Sequence, residues 1–208
     1  MPHTNLLLFL IATVTLNVTP GPDMLYVIAR SVGQGRAAGI ASAFGVAGGC
    51  LVHTLAVALG LASLMMAVPM AYQVVKYAGA AYLVFLGIRT LTGPRQRAAD
   101  APLREDTLTA IFLQGVVTNV LNPKVALFFV AFLPQFVDAH LGHVALQVIF
   151  LGVLFNTSGT IVNVAVALAA SYSGGRIRVR VGNSSFFRWV TGSVFIGLGA
   201  RLAFLERR

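Results

Sequence analysis

Six long apolar stretches, separated by short polar or basic connections, run along the chain at about residues 4–30, 39–63, 70–91, 108–133, 144–170 and 186–204. A helix of roughly 20 apolar residues crosses the ~30 Å hydrocarbon core of a bilayer, and each stretch is long enough. The pattern predicts an all-α integral membrane protein, one transporter domain over 1–208 with six transmembrane helices and little outside the membrane. Polar residues interrupt the first and fourth stretches at corresponding places: Thr19-Pro20-Gly21-Pro22-Asp23 and Asn122-Pro123-Lys124. Proline removes a backbone donor and clashes with the preceding turn, so the freed groups need partners inside protein or beside a water-lined cavity. Paired interruptions of this kind point to a transporter's binding site near mid-membrane.

The halves also echo one another. Asn17-Val18 and Asn119-Val120 precede the two breaks 102 residues apart, Gly49 and His53 fall opposite Gly152 and Asn156 at 103, and Gly87-Ile88-Arg89 resembles Gly199-Ala200-Arg201 at 112. These matches predict two repeats, about 1–95 and 105–208, with helices 1 and 4 broken at Pro20, Gly21, Pro22 and Pro123. An odd number of helices per repeat inserts the second copy upside down, and inverted repeats offer alternating access to a site at their interface.

Composition agrees: 57% of residues are hydrophobic, 10% are charged and the mean hydropathy is +0.83, too apolar for a soluble domain. The net charge of +9 does not signal nucleic acid, because the basic residues are sorted by connection. Arg30 and Arg36 bound the first connection, Arg89, Arg95, Arg97 and Arg104 flank the third, and Arg176, Arg178, Arg180 and Arg188 fill the fifth. The second and fourth connections have none, and Arg201, Arg207 and Arg208 stand near the C-terminus. The positive-inside rule puts the odd connections in the cytoplasm and both termini outside. The first stretch leads into a proline-glycine break rather than a small-residue cleavage site, so no cleaved signal is expected. Lys76 with Tyr72 and Tyr77, and Trp189 beside Arg188, read as interfacial anchors.

Chemistry concentrates at the breaks. With Gly21 as cap, Pro22 takes the first helical position and Asp23 the next, and Asn122-Pro123-Lys124 repeats the arrangement. A carboxylate in a first helical turn complements the helix dipole without further purpose, whereas a lysine there opposes it and needs an anionic partner. Asp23 is the acid placed to serve. Either the two form a permanent ion pair pinning the halves together, or substrate competes for it, its ammonium facing Asp23 and its carboxylate facing Lys124. Asn17, Asn119, Asn122 and Asn156 complete the candidate binding set.

Ala37, Ala41, Gly45 and Gly49 form a ladder of small residues at intervals of four, continued by His53. Such ladders allow close helix packing; His53 is then either a hydrogen-bonding link between helices or, with Asp23, a proton carrier. Gly152, Asn156, Gly159 and Asn163 share one face of the fifth stretch, as pore lining or as interhelical glue.

Thr19-Pro20-Gly21-Pro22, the glycine-rich second helix, Lys76-Tyr77-Ala78-Gly79-Ala80-Ala81-Tyr82-Leu83, and Asn122-Pro123-Lys124 followed by Phe132-Leu133-Pro134-Gln135-Phe136 resemble the LysE/RhtB family of amino-acid exporters, in order, spacing and total length. The resemblance implies a bacterial inner-membrane carrier that expels amino acids or related small metabolites by proton antiport. Its partners would be a small-molecule substrate, protons and the bilayer, with self-association left open and no cofactor expected. Other classes fit less well. A thiol-disulfide relay needs a cysteine pair and the chain has only Cys50. No nucleophile-presenting motif surrounds Ser158, which argues against an enzyme, and Asp23 and His53 are too few for a metal site. A channel for small polar solutes is the alternative, since broken helices and polar seams also build pores.

Overall fold

The computed structural model describes residues 3–67, 105–138 and 141–172, together with scattered positions between 77 and 92 and between 189 and 200. Among the described residues the fold is helical throughout: α1 (His3–Val18), α2 (Pro22–Ala67), α3 (Leu108–Val120), α4 (Pro123–Leu127) and α5 (Val144–Tyr172). A π-helical turn, Phe128–Phe132, and a 3-10 turn, Leu133–Phe136, extend α4. The anchors Lys76 and Tyr72 and the arginines 95, 97, 104, 176, 178, 180, 188, 201, 207 and 208 lie outside the described residues. Tyr77 and Trp189 are exposed, as an interfacial anchor would be.

Both predicted breaks are present, and proline chemistry accounts for them. The chain leaves helical geometry at 19–21 and restarts with Pro22 at the head of α2. It breaks again at Leu121–Asn122 and restarts with Pro123, the α3 and α4 axes meeting at 48°. Asn122 caps α4, its Oδ1 accepting from the Lys124 amide at 3.0 Å.

The helix α2 is not one rod. Gly35 has φ 82° and ψ −170°, left-handed geometry that glycine adopts without penalty, and the chain reverses there. The 36–67 arm folds back on 22–34: a Cβ at Gly39 would collide with Ser31, and Val27 packs in one cluster with Ala43 and Val46. The first connection, expected over about eight residues, is therefore a hairpin turn of one.

Small residues set the other contacts. Gly45 lies against the backbone of Phe112 and Gly115, and Gly49 against Val116 and Asn119, so the ladder's glycines seat the 36–67 arm on α3. Ala37, at the ladder's start, is exposed and takes no part in that seam. The same arm crosses α5 antiparallel, Gly39 meeting Ala167 and Gly152 meeting Thr54. Gly87 approaches Ile196 and Gly192, and Gly199 approaches Ala80 and Val84, so the third and sixth stretches also run antiparallel where they touch. Large apolar side chains on α3 and α5, among them Leu113, Val117, Phe150 and Ile161, face outward, as acyl chains require.

Candidate functional site

The C-terminus of α1 and the N-termini of α2 and α4 converge, and Lys124 joins them. Its Nζ donates to the carbonyls of Leu16 (3.1 Å) and Thr19 (2.9 Å) at the break where Pro20 offers no amide; the Leu16 carbonyl also accepts from the Thr19 amide at 3.2 Å. A cation at the negative end of one helix offsets its unfavourable position at the positive end of another. A Cβ at Gly21 would come within 3.1 Å of that Nζ, so glycine there gives the lysine its berth.

Asp23 does not pair with Lys124; the permanent ion pair considered from the sequence is absent. The Asp23 Oδ2 instead accepts from the Asn119 Nδ2 at 2.8 Å, a buried bond from the first break to the residue leading into the second. The other carboxylate oxygen, Oδ1, is buried with no protein partner, as are the Asn119 Oδ1 and the Asn122 Nδ2. Buried polar groups are nearly always satisfied, so unpaired acceptors and a donor gathered at one junction mark a place made for a polar ligand or water.

A cavity of about 30 Å³ opens at this junction. Asn17, Asp23, Asn119, Lys124 and Asn156 line it with Thr19, Thr160 and Asn163, and the apolar part of its wall includes Leu16, Met24, Val46, Val125 and Phe155. Such a volume holds about two waters, not an amino acid, so any larger occupant requires the elements around it to part. The sequence placed Asn17, Asp23, Asn119, Lys124 and Asn156 together, and they are together. Asn17 donates to the Ser158 Oγ (2.9 Å) and the Phe155 carbonyl (3.3 Å), and Asn156 to the Ala47 carbonyl (3.3 Å). Residues on the polar face of α5 thus both line the cavity and tie helices together.

Asn122 and His53 stand behind the lining. Asn122 is buried under the turn that it caps. The His53 Nε2 lies 3.1 Å from the Asn119 carbonyl, and its ring stacks on Phe129 at 5.8 Å. Pro20, Gly21, Pro22 and Pro123 shape the breaks. Asn163, read from the sequence on the same face as Asn156 as pore lining or glue, lines the cavity, whereas Thr19 and Thr160, which also line it, were not among the candidate binding residues.

A second polar cluster lies toward the Gly35 turn. The Arg30 Nη2 meets the Asp106 Oδ2 at 2.6 Å, and Arg30 also donates to Gln34 and Gln114. Arg30 is buried, although the sequence assigned it only to topology. Among the described residues no group of three or more His, Cys, Asp or Glu could hold a metal ion.

Comparison with known proteins agrees with this architecture. The family described as LysE type translocator matches residues 14–206. An uncharacterised membrane protein of Pseudomonas aeruginosa is 34% identical over 207 residues, covering 94% of this chain and 93% of its own length. Leucine efflux proteins of Salmonella typhimurium and Salmonella typhi are each 30% identical, covering 95% of this chain and 94% of theirs. No solved structure matches. With the match running from within α1 almost to the C-terminus, across both breaks, the chain is a membrane protein that belongs to the LysE type translocator family.

Proposed function

We propose that this protein is a secondary transporter that exports amino acids or closely related metabolites across the bacterial inner membrane, in exchange for protons. Family membership and relatives named for leucine efflux support the class. The observation that carries the reading is the junction itself: unpaired acceptors on Asp23 and Asn119 lie beside one cavity with a Lys124 ammonium held only by backbone carbonyls. A zwitterion meets both. Its ammonium takes the Asp23 and Asn119 oxygens, and its carboxylate draws Lys124 off the Leu16 and Thr19 carbonyls, with the apolar wall left for a side chain.

Alternating access follows from two inverted three-helix repeats, a reading supported by the matched breaks and by the antiparallel crossings of 36–67 with α5 and of the third stretch with the sixth. Gly49 packs on Asn119 and Gly159 on Asn17, which pairs Gly49 with Gly159 rather than with Gly152 and shifts the register read from the sequence. In this scheme substrate loads from the cytoplasm, the halves rock, release occurs outside, and a proton carried by Asp23 or His53 resets the carrier. Both termini lie outside.

The test is export from amino-acid-loaded proteoliposomes under an imposed proton gradient. Wild type should saturate and move substrate against its gradient, and Asp23→Asn, inserted normally, should lose the gradient-driven component. Flux that only dissipates a gradient, or an Asp23→Asn variant that pumps normally, would defeat the proposal.

A further inference from the structure

The buried cluster around Arg30 ties together parts of the chain that the proposed transport cycle must separate. Arg30 lies seven residues beyond Asp23, about 10 Å along the helix, toward the Gly35 turn. Its guanidinium, 5% exposed, meets the Asp106 carboxylate at 2.6 Å. Braces surround the pair: the Gln114 Nε2 donates to the Asp106 Oδ2 (3.1 Å), the Gln34 Nε2 to the Asp106 carbonyl (3.1 Å), and the Tyr26 hydroxyl to the Ile111 carbonyl (2.7 Å). Arg30 also lies over the Tyr26 ring, 5.7 Å from its centre. The Arg30–Asp106, Arg30–Gln114, Gln34–Asp106 and Tyr26–Ile111 contacts join the 22–34 arm to the segment 106–114, and so one half of the chain to the other.

The opposite end of the same elements is closed differently. Phe9, Phe128, Phe132 and Phe136 pack ring on ring at 4.9–6.0 Å, with Phe128 also 4.7 Å from the cavity-lining Phe155. One end therefore carries an ionic clasp and the other an aromatic plug, with the cavity between them. The ends are not equivalent in what water does to them. Wetting the clasp returns hydration to the Arg30 guanidinium that burial had stripped, whereas wetting the rings gains nothing.

We infer that the Arg30–Asp106 clasp, braced by Tyr26, Gln34 and Gln114, is the gate on the Gly35 side, parting to admit substrate and reforming to shut the site from the cytoplasm. The inference rests on the export reading, but its test does not need flux. Cys50 is the only cysteine of the chain, is buried and lines the cavity, so a charged, membrane-impermeant thiosulfonate reaches it only when one end opens. Labelling is followed in inside-out and right-side-out vesicles.

Asp106→Asn should speed Cys50 labelling from the cytoplasmic face roughly tenfold or more without speeding it from the other face, since it takes the opposing charge from the buried Arg30 guanidinium and so destabilises the closed form. Tyr26→Phe, which leaves the charges in place, should shift the rate in the same direction by less. The reversal Arg30→Asp with Asp106→Arg should return it toward wild type. An unchanged rate in both Asp106→Asn and Tyr26→Phe, or a rise from both faces alike, would overturn the gate. Labelling that behaves as expected in a protein that pumps no amino acid would keep the gate and remove the export reading; the converse would do the reverse.

Discussion

The two breaks occupy matching places but manage their loose backbone with opposite chemistry. At the first, Pro20-Gly21-Pro22, the Thr19 carbonyl, and with it the Leu16 carbonyl that the Thr19 amide also reaches, accepts from a charged side chain of the second break, Lys124. At the second, the Asn119 carbonyl meets the His53 ring and also accepts the Asn122 amide at 2.9 Å. At the first break the Thr19 carbonyl thus depends on a cation that a carboxylate could draw away, whereas the Asn119 carbonyl at the second keeps the Asn122 amide whatever His53 does. A shared architecture with unequal fastenings gives one mobile charge and one fixed frame, as a binding site with a moving part requires.

Replacing the mobile charge should have the largest effect. Lys124→Met removes the side-chain donor to the Leu16 and Thr19 carbonyls; the Leu16 carbonyl keeps the Thr19 amide, and the Thr19 carbonyl left unmet should cost about 1–3 kcal/mol. It also removes the carboxylate's partner, and a charge-assisted hydrogen bond of about 1.5–3 kcal/mol corresponds to roughly a 10- to 100-fold loss of substrate affinity. Thermal unfolding in detergent and export kinetics in proteoliposomes should both report it. Lys124→Arg should not rescue fully, because the broader guanidinium must fit a berth where a Cβ on Gly21 would already lie 3.1 Å from Nζ.

The packing of the breaks differs too. A Cβ on Gly49 would stand 2.7 Å from both the Asn119 Cβ and the Val116 carbonyl oxygen, the latter fixed backbone. A Cβ on Gly159 would stand 3.1 Å from the Asn17 amide, a side-chain end that can turn aside. Gly49→Ala should therefore cost about 1–3 kcal/mol and pull Asn119 away from Asp23, with Gly159→Ala milder on both counts. Equal losses of melting temperature in the two variants would erase the distinction.

Proline positions made the breaks readable, because a missing N–H acts on its own helix and needs no knowledge of the neighbours. The cluster of Asn17, Asp23, Asn119, Lys124 and Asn156 was readable for a related reason: polar side chains within apolar spans have few places to go. The partner of Lys124 was not readable. The acceptors are backbone carbonyls, which carry no letter of the sequence, and they become available only through a break 105 residues away. The inward contacts of Arg30 were not readable because basic residues at span ends are ordinarily topology signals. Its neighbour Gln34 one turn on was the available clue, but Asp106 and Gln114 reach it only after the chain has folded back. The first connection shrank to Gly35 because no periodicity marks a reversal made by one residue.

His53 tests the fixed side of the comparison. In His53→Ala the Asn119 carbonyl still accepts from Asn122, so the loss in stability should be near ~1 kcal/mol, the net worth of one hydrogen bond, plus whatever the Phe129 stack contributes. Export should persist with a proton gradient if His53 is a fastener. Loss of pumping with little change in melting temperature would instead make it the proton carrier and move the mobile chemistry to the second break.

The smallest expected effect belongs to Asn122, and two substitutions there separate support from binding. Its Oδ1 caps α4, a contribution of about 1 kcal/mol, while its Nδ2 is buried beside the Asp23 carboxylate without a close hydrogen bond. Asn122→Ala removes both, and discarding an unsatisfied donor offsets part of the lost cap, so the net cost should stay below ~1 kcal/mol and the melting temperature should fall by at most a few degrees. Asn122→Asp keeps the cap oxygen and replaces the amide donor with a second acceptor facing any incoming carboxylate. If the Nδ2 serves the substrate, the aspartate variant should raise KM for export more than the alanine variant while melting no lower. If both leave KM unchanged, the second break contributes only its frame, and substrate recognition rests on Asp23, Asn119 and Lys124.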